Sequence, residues 1–185
     1  KLNKKFSGTR ILAGFSKVNI TPYDSQYLAG YYPTRKSNGV HDELWVYCLA
    51  LQGPSGERIV IVSCDLIGLL PDDVEDIRKR LGDFSSTKIL ITSTHTHSAP
   101  DTIGLWGQGL FGASLFDGKD KKYLKRIKSD IAKGICSAIT GMIPASISFA
   151  CKKFAMSYLI EGRVNNIPDW TINTIRIDFK ETRVT

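Results

Sequence analysis

Two of the chain's three histidines stand one residue apart in Thr94-His95-Thr96-His97-Ser98-Ala99-Pro100, directly after the apolar run Ile89-Leu90-Ile91. A His-x-His pair leaving the end of a buried strand can aim one or both imidazoles at a single metal ion, and zinc is the usual occupant of such nitrogen sites. The competing reading is a pair of hydrogen-bonded loop residues; two histidines in one strand-end loop favour the metal. Zinc in a catalytic site typically takes three protein ligands and keeps a fourth position open. The remaining histidine, His41, sits in Asn38-Gly39-Val40-His41-Asp42-Glu43, which reads as a surface turn. Either carboxylates complete the ligand set or the missing ligands lie outside the chain. Asp65 ends the apolar run before the first crossover. It either orients a metal-bound imidazole by accepting its free N–H or caps a helix–loop junction.

The elements that must position these residues read as a mixed α/β fold. Residues 10–20, 44–51, 58–64, 88–93, 146–154 and 171–179 carry strand patterns, punctuated by Pro, Gly and Asn. Gly53-Pro54-Ser55-Gly56 turns the second strand into the third as an antiparallel hairpin. Pro71-Asp72-Asp73 opens a short helix that Gly82 stops. Strand, helix and strand in that order predict a right-handed crossover, so the strands of Cys64 and Ile91 should run parallel. Their continuous apolar character predicts cover on both faces. Ligands in open α/β sheets bind outside the carboxyl ends of the strands, which is where His95, His97 and Asp65 fall. A long loop over residues 94–118 follows, of a size that is usually functional. The helix predicted over residues 120–139 carries Leu124, Ile127, Ile131, Ile135 and Ala138 on one stripe.

At 185 residues the chain fits a single domain or domain fragment spanning 1–185. Its formal charge of +7 is concentrated in Lys119, Lys121, Lys122, Lys125, Arg126, Lys128 and Lys133. That cluster suits either an anionic membrane surface or a solvated helix face. Tyr123 is the single aromatic among these charges, where a nucleic-acid platform interleaves several, so no nucleic-acid partner is expected. The four cysteines, Cys48, Cys64, Cys136 and Cys151, lie among apolar residues without a Cys-x-x-Cys pair. They read as buried, reduced thiols. No apolar run approaches the ~18 residues of a membrane span, and residues 1–10 show no signal peptide.

The order of motifs resembles the neutral/alkaline, non-lysosomal ceramidase family. Ala13-Gly14-Phe15-Ser16-Lys17-Val18-Asn19-Ile20-Thr21-Pro22 is similar to the family's opening. Leu28-Ala29-Gly30-Tyr31 resembles its Met-Gly-Tyr segment, and Gly39-Val40-His41-Asp42-Glu43-Leu44 a segment of smaller bacterial members. Thr94 to Pro100 matches the Thr-His-Thr-His-Ser-Gly-Pro signature with Ala99 in place of Gly. Glu161-Gly162-Arg163 and the strand after it complete the series.

The resemblance implies a Zn2+-dependent amidohydrolase that cleaves an N-acyl amide of the ceramide type to sphingosine and a fatty acid. It places the first zinc ligand on His95 and a catalytic histidine on His97, which relays a proton or holds the oxyanion. An active-site arginine maps onto Arg163, whose other reading is an ordinary surface-loop residue. The resemblance also implies that this chain is the N-terminal half of a ceramidase-like catalytic domain. A second zinc histidine and later Glu and Tyr ligands would lie beyond it, so residues 1–185 alone should bind zinc weakly and turn over poorly. Partners are then a lipid-like N-acyl amide, a membrane surface, and the C-terminal half or a second copy. An extracellular or membrane-associated setting follows from the resemblance, and a cytoplasmic one from the reduced cysteines. The alternatives are another metallohydrolase, such as a phosphoesterase, or a non-catalytic metal- or lipid-binding module. The metallo-β-lactamase pattern fails because Ala99 and Pro100 stand where it needs an acid and a histidine. A TIM barrel needs more than ~200 residues.

Overall fold

The computed structural model describes residues 4–5, 11–30, 35–111, 113–153 and 171–179. Its main sheet has seven strands: β1 (Lys4–Lys5), β2 (Ile11–Asn19), β3 (Trp45–Gln52), β4 (Arg58–Cys64), β5 (Lys88–Ser93), and, after a small hairpin of β6 (Gly109–Leu110) and β7 (Ala113–Ser114), β8 (Ile143–Lys153) and β9 (Thr171–Phe179). Two helices, α1 (Pro71–Lys79) and α2 (Lys121–Thr140), pack with it. Strands β2, β3 and β4 pair antiparallel and β4 pairs parallel with β5. Strand β8 pairs antiparallel with β1 and β2 and with β9. The mixed sheet, the β3–β4 hairpin and the parallel β4–β5 pair are those that the residue pattern predicts. Among the described residues no helix is long and apolar enough to cross a membrane.

Local chemistry explains where the helices begin. Pro71 occupies the first turn of α1, where its missing N–H has no intrahelical role, and Asp72 and Asp73 face the positive helix end. Asp120 caps α2 by accepting from the N–H groups of Lys122 (2.8 Å) and Tyr123 (3.1 Å). The stripe Ile127, Ile131, Ile135 and Ala138 is fully buried against Val46, Cys48, Val60 and Val62. The helix lies close on β2: the Ser16 hydroxyl donates to the Gly134 carbonyl (2.7 Å), and a Cβ at Gly14 would collide with the Ala138 carbonyl.

Three expectations need correction. Among the described residues the strands are covered on one face only. Phe15, Ile59 and Leu90 on the other face are 57%, 40% and 52% exposed. In β5 half-buried positions (Ile89, Ile91, Ser93) alternate with exposed ones (Lys88, Leu90, Thr92), and apolar Leu90 among the exposed positions makes the run read as continuous. The basic cluster is not one solvated face either. Lys128 reaches across to α1 and bonds Asp73 (3.1 Å) and Asp76 (2.8 Å). Arg126 donates to the Thr21 carbonyl (2.7 Å) and lies 4.5 Å from the Tyr23 ring. Finally, the loop over 94–118 is not structureless, since it holds the β6–β7 hairpin.

The Lys128 bridge makes stability depend on pH. Its hydrogen bond and that of Arg80 hold Asp76 at about 2, below the ordinary 3.8, while Asp76 and Asp73 raise Lys128. A lowered acid contributes stability above its unfolded value that disappears as pH falls through its folded value. The raised Lys128 contributes fully below its unfolded value, and that contribution is lost as pH climbs through its folded one. Lys128→Met should therefore flatten the loss of thermal stability between about pH 4 and 2. Melting curves of the two proteins across that range test this; parallel curves would count against the bridge.

All four cysteines are free, but they are not alike. Burial pushes the thiols of Cys48 and Cys64 up to about 11 and about 12. Cys136 is half-buried, and Cys151 is exposed on β8, against the expectation that all four are buried. A thiolate is the reactive form. Native protein should label at Cys151 with a maleimide within minutes, and at Cys48 and Cys64 only after denaturation. Fast native labelling of Cys64 would contradict this packing.

Candidate functional site

The parallel pair β4–β5 ends at one edge of the sheet, and the histidine loop leaves from there. The Thr94 N–H still bonds the Cys64 carbonyl (2.9 Å), extending the ladder by one step. The chain then turns sharply, because His95 adopts φ +58°. Left-handed backbone at a residue other than glycine is uncommon and clusters at functional sites. The turn brings the two imidazoles together, with ring centroids 5.4 Å apart and planes at 61°. Both histidines are exposed to solvent.

The His95 ring is oriented by a backbone group. Its Nδ1 lies 2.9 Å from the Ile67 carbonyl oxygen, so Nδ1 carries the hydrogen and donates. That tautomer leaves Nε2 as the lone-pair nitrogen, the form in which imidazole binds a metal. Ile67 thus fills the orienting role at His95 that the sequence reading offered to Asp65. The Asp65 carboxylate accepts from the Trp45 N–H (3.0 Å), and its own N–H donates to the Trp45 carbonyl (2.9 Å). It closes the open end of the β3–β4 hairpin.

The Ile67 segment is itself clamped. Fully buried Thr102 donates its hydroxyl to the Gly68 carbonyl at 2.5 Å. Next to it, Asp101 is 1% exposed and gathers four backbone donors. Its Oδ1 accepts from Ile103 (3.1 Å) and Gly104 (2.7 Å), and its Oδ2 from Trp106 (2.8 Å) and Gly118 (3.2 Å). One carboxylate therefore holds both ends of the loop that follows the histidines. The Asp101 N–H donates to the Tyr27 carbonyl and the Ala29 N–H to the Ala99 carbonyl. This strand-like contact brings Gly30, at φ +80°, against the His97 ring, where a Cβ would overlap the imidazole.

Sequence reasoning missed Ile67, Asp101 and Thr102, and named Gly30 only as part of the Leu28–Tyr31 motif, without its contact with His97. Only Asp101 carried a local signal: an aspartate followed by Thr-Ile-Gly-Leu-Trp-Gly is the composition of a carboxylate-capped turn. The others act through a carbonyl or through the lack of a side chain. His41 is a surface-turn residue as expected; Asp42 accepts from its Nδ1 (2.8 Å) and raises its pKa. It lines a cleft of about 820 Å³ that also includes Thr96 and Ser98, the residues alternating with the histidines. Arg163 and Tyr31 lie outside the described residues. Among the described residues no cluster of three or more His, Cys, Asp or Glu forms a metal site. The donor set among the described residues is two imidazoles, which fits part of a zinc site.

Among the described residues, a seven-stranded mixed sheet with one helix-covered face and a histidine pair at its carboxyl edge define a mixed α/β fold. No family model matches the chain, and no curated protein sequence matches it. Among solved structures it is similar to neutral ceramidase from Pseudomonas aeruginosa, with a TM-score of 0.66 and 21% identity over 80% of this chain and 24% of that one. A ceramidase complexed with C2 gives a TM-score of 0.65 and 19% identity, with the same coverage. The fold is thus ceramidase-like, and the chain spans about a quarter of the length of these structures.

Proposed function

We propose that this chain carries the first part of a zinc-dependent amidohydrolase site that acts on a ceramide-like N-acyl amide. The observation that supports this most is the His95 imidazole, held through Nδ1 by the Ile67 carbonyl so that Nε2 faces outward beside His97. His95 is the residue that would hold the metal. Zinc at such a site polarises a carbonyl and lowers the pKa of a bound water. His97 stands beside it, where it can hold or pass a proton to the leaving amine. The Ile67 carbonyl holds the His95 ring and Gly30 seats that of His97, which matters because small misplacements cost rate steeply. Similarity to ceramidases in fold supports the amide substrate class, and Arg163 is proposed to steady developing negative charge.

Zinc titration of the chain, with His95→Ala alongside, tests the reading. The substitution should weaken binding by more than the ~10- to 100-fold typical of losing an orienting partner. A short-chain N-acylsphingosine, followed by release of its fatty acid, tests the chemistry. Equal zinc affinity in both proteins would remove His95 from the site. Zinc binding without amide cleavage would favour the non-catalytic module, for which the two-imidazole donor set speaks. Cleavage of a phosphate ester instead would favour a phosphoesterase.

A further inference from the structure

The β6–β7 hairpin and its flanks display apolar side chains to water. Phe111 is fully exposed, and Leu105, Leu110, Leu115 and Phe116 are 60%, 60%, 64% and 66% exposed. Single exposed apolar residues are ordinary, but five within a twelve-residue stretch on and around one hairpin concentrate apolar surface of the kind that marks interaction sites. Phe111 is also at φ +49°, a backbone state uncommon for an aromatic residue. The hairpin is tied at its base, because Asp101 accepts from the N–H groups of Trp106 and Gly118 on either side of it. The Ser114 hydroxyl adds a brace by accepting from the Gly107 N–H (3.0 Å).

Charge identifies the occupant. The chain runs from Phe116 straight into α2, whose first turns expose Lys121, Lys122 and Lys125, with half-buried Lys119 before them. The acids in this stretch are Asp117, which accepts from the Lys119 N–H, and Asp120, which is engaged as the α2 cap. Lysines therefore outnumber acids beside the apolar tip. An apolar wedge rimmed by lysines matches an anionic lipid surface, where apolar groups enter the acyl boundary and ammonium groups stay at the headgroups. A protein partner would be better served by a polar rim of mixed sign.

We propose that the segment 105–116, together with the first lysines of α2, docks this protein on an anionic membrane surface. The proposal does not depend on the amide reading. Because the hairpin belongs to the loop that leaves His97, docking would set the histidine edge of the sheet close to the lipid.

Co-sedimentation of the chain with vesicles of phosphatidylcholine containing one-fifth phosphatidylglycerol tests this. Binding is expected to these vesicles, weaker by at least 10-fold on pure phosphatidylcholine and weaker again as salt rises. Phe111→Ser combined with Phe116→Ser should cost at least 10-fold, and Lys121→Glu with Lys122→Glu a similar factor. All four positions are exposed, so circular dichroism should show an intact fold. A Leu110→Trp protein should show a blue-shifted emission that brominated lipid quenches. No binding at millimolar lipid would overturn the proposal, as would binding that survives both double variants. A wild-type dimer that the Phe111→Ser, Phe116→Ser pair disperses, without vesicle binding, would instead make the patch an interface between copies. Amide turnover, assayed on a short-chain substrate without vesicles, is a separate readout, so either idea can fail alone.

Discussion

Asp101→Ala is expected to lower the unfolding free energy by about 4 kcal/mol. The carboxylate is 1% exposed and accepts from four backbone N–H groups. A hydrogen bond to a charged group contributes about 1.5–3 kcal/mol, and a buried donor left without a partner costs about 1–3. Some of the four N–H groups will find water once the side chain is gone, so the sum is not realised in full. Asp101→Asn keeps the shape but points an NH2 group at two of the donors, and should cost about 2 kcal/mol. The loss should be local before it is global. Amide exchange at Gly104, Trp106 and Gly118 is expected to accelerate before that of the β3–β4 core. Denaturant unfolding with residue-resolved exchange checks both statements. A cost under about 1 kcal/mol with unchanged protection at those amides would mean that the loop is held by something else.

Gly30→Ala is expected to damage the histidine site far more than the fold. Gly30 has φ +80°, where an L-residue pays about 1–2 kcal/mol of backbone energy. The added methyl would also occupy the space of the His97 ring, which must swing away. A displacement on the order of 1 Å at a reacting group costs about 100-fold in rate. The expected signature is thus about a 100-fold loss of whatever activity the site supports, with about 1–2 kcal/mol lost in stability. Nitrogen chemical shifts of the imidazoles give a readout independent of turnover: those of His97 should move and those of His95 much less, because Ile67 anchors that ring. The double variant Gly30→Ala, His97→Ala should be little worse than His97→Ala, since both remove the same group. Unchanged His97 resonances in Gly30→Ala would show that the ring does not rest on Gly30.

These two residues also divide what could be read early from what could not. The strands of residues 58–64, 88–93 and 171–179 are found at the positions that apolar runs and turn residues predict. The helix predicted over 120–139 is α2, with Asp120 as its cap. These are local matters. Turn residues, a capping aspartate and a period of 3.6 or 2 act over a few neighbours, and their effect is visible in a short window. The adjacency of His95 and His97 at the end of a parallel strand belongs to the same class, as it needs only one strand end and the crossover rule.

What the alternation of apolar residues could not show is which face is covered. In β2 to β5 both faces carry large apolar side chains, and only the seating of α2 decides that Val46 and Val62 are buried while Phe15 and Leu90 are exposed. The support of the site was equally hidden. Ile67 acts through its carbonyl and Gly30 through the absence of a side chain, so neither residue type announces its role. Both depend on contacts between segments far apart in the chain, which bring the Ile67 carbonyl under one imidazole and the Gly30 backbone against the other. The residue pattern by itself determined the longer strands and both helices, the parallel β4–β5 pairing and the histidine pair, because each is specified by neighbours in the chain. Tertiary packing alone decided the His95 tautomer, the seat of His97 and the uncovered sheet face, because backbone carbonyls and empty space acquire meaning only when distant segments meet.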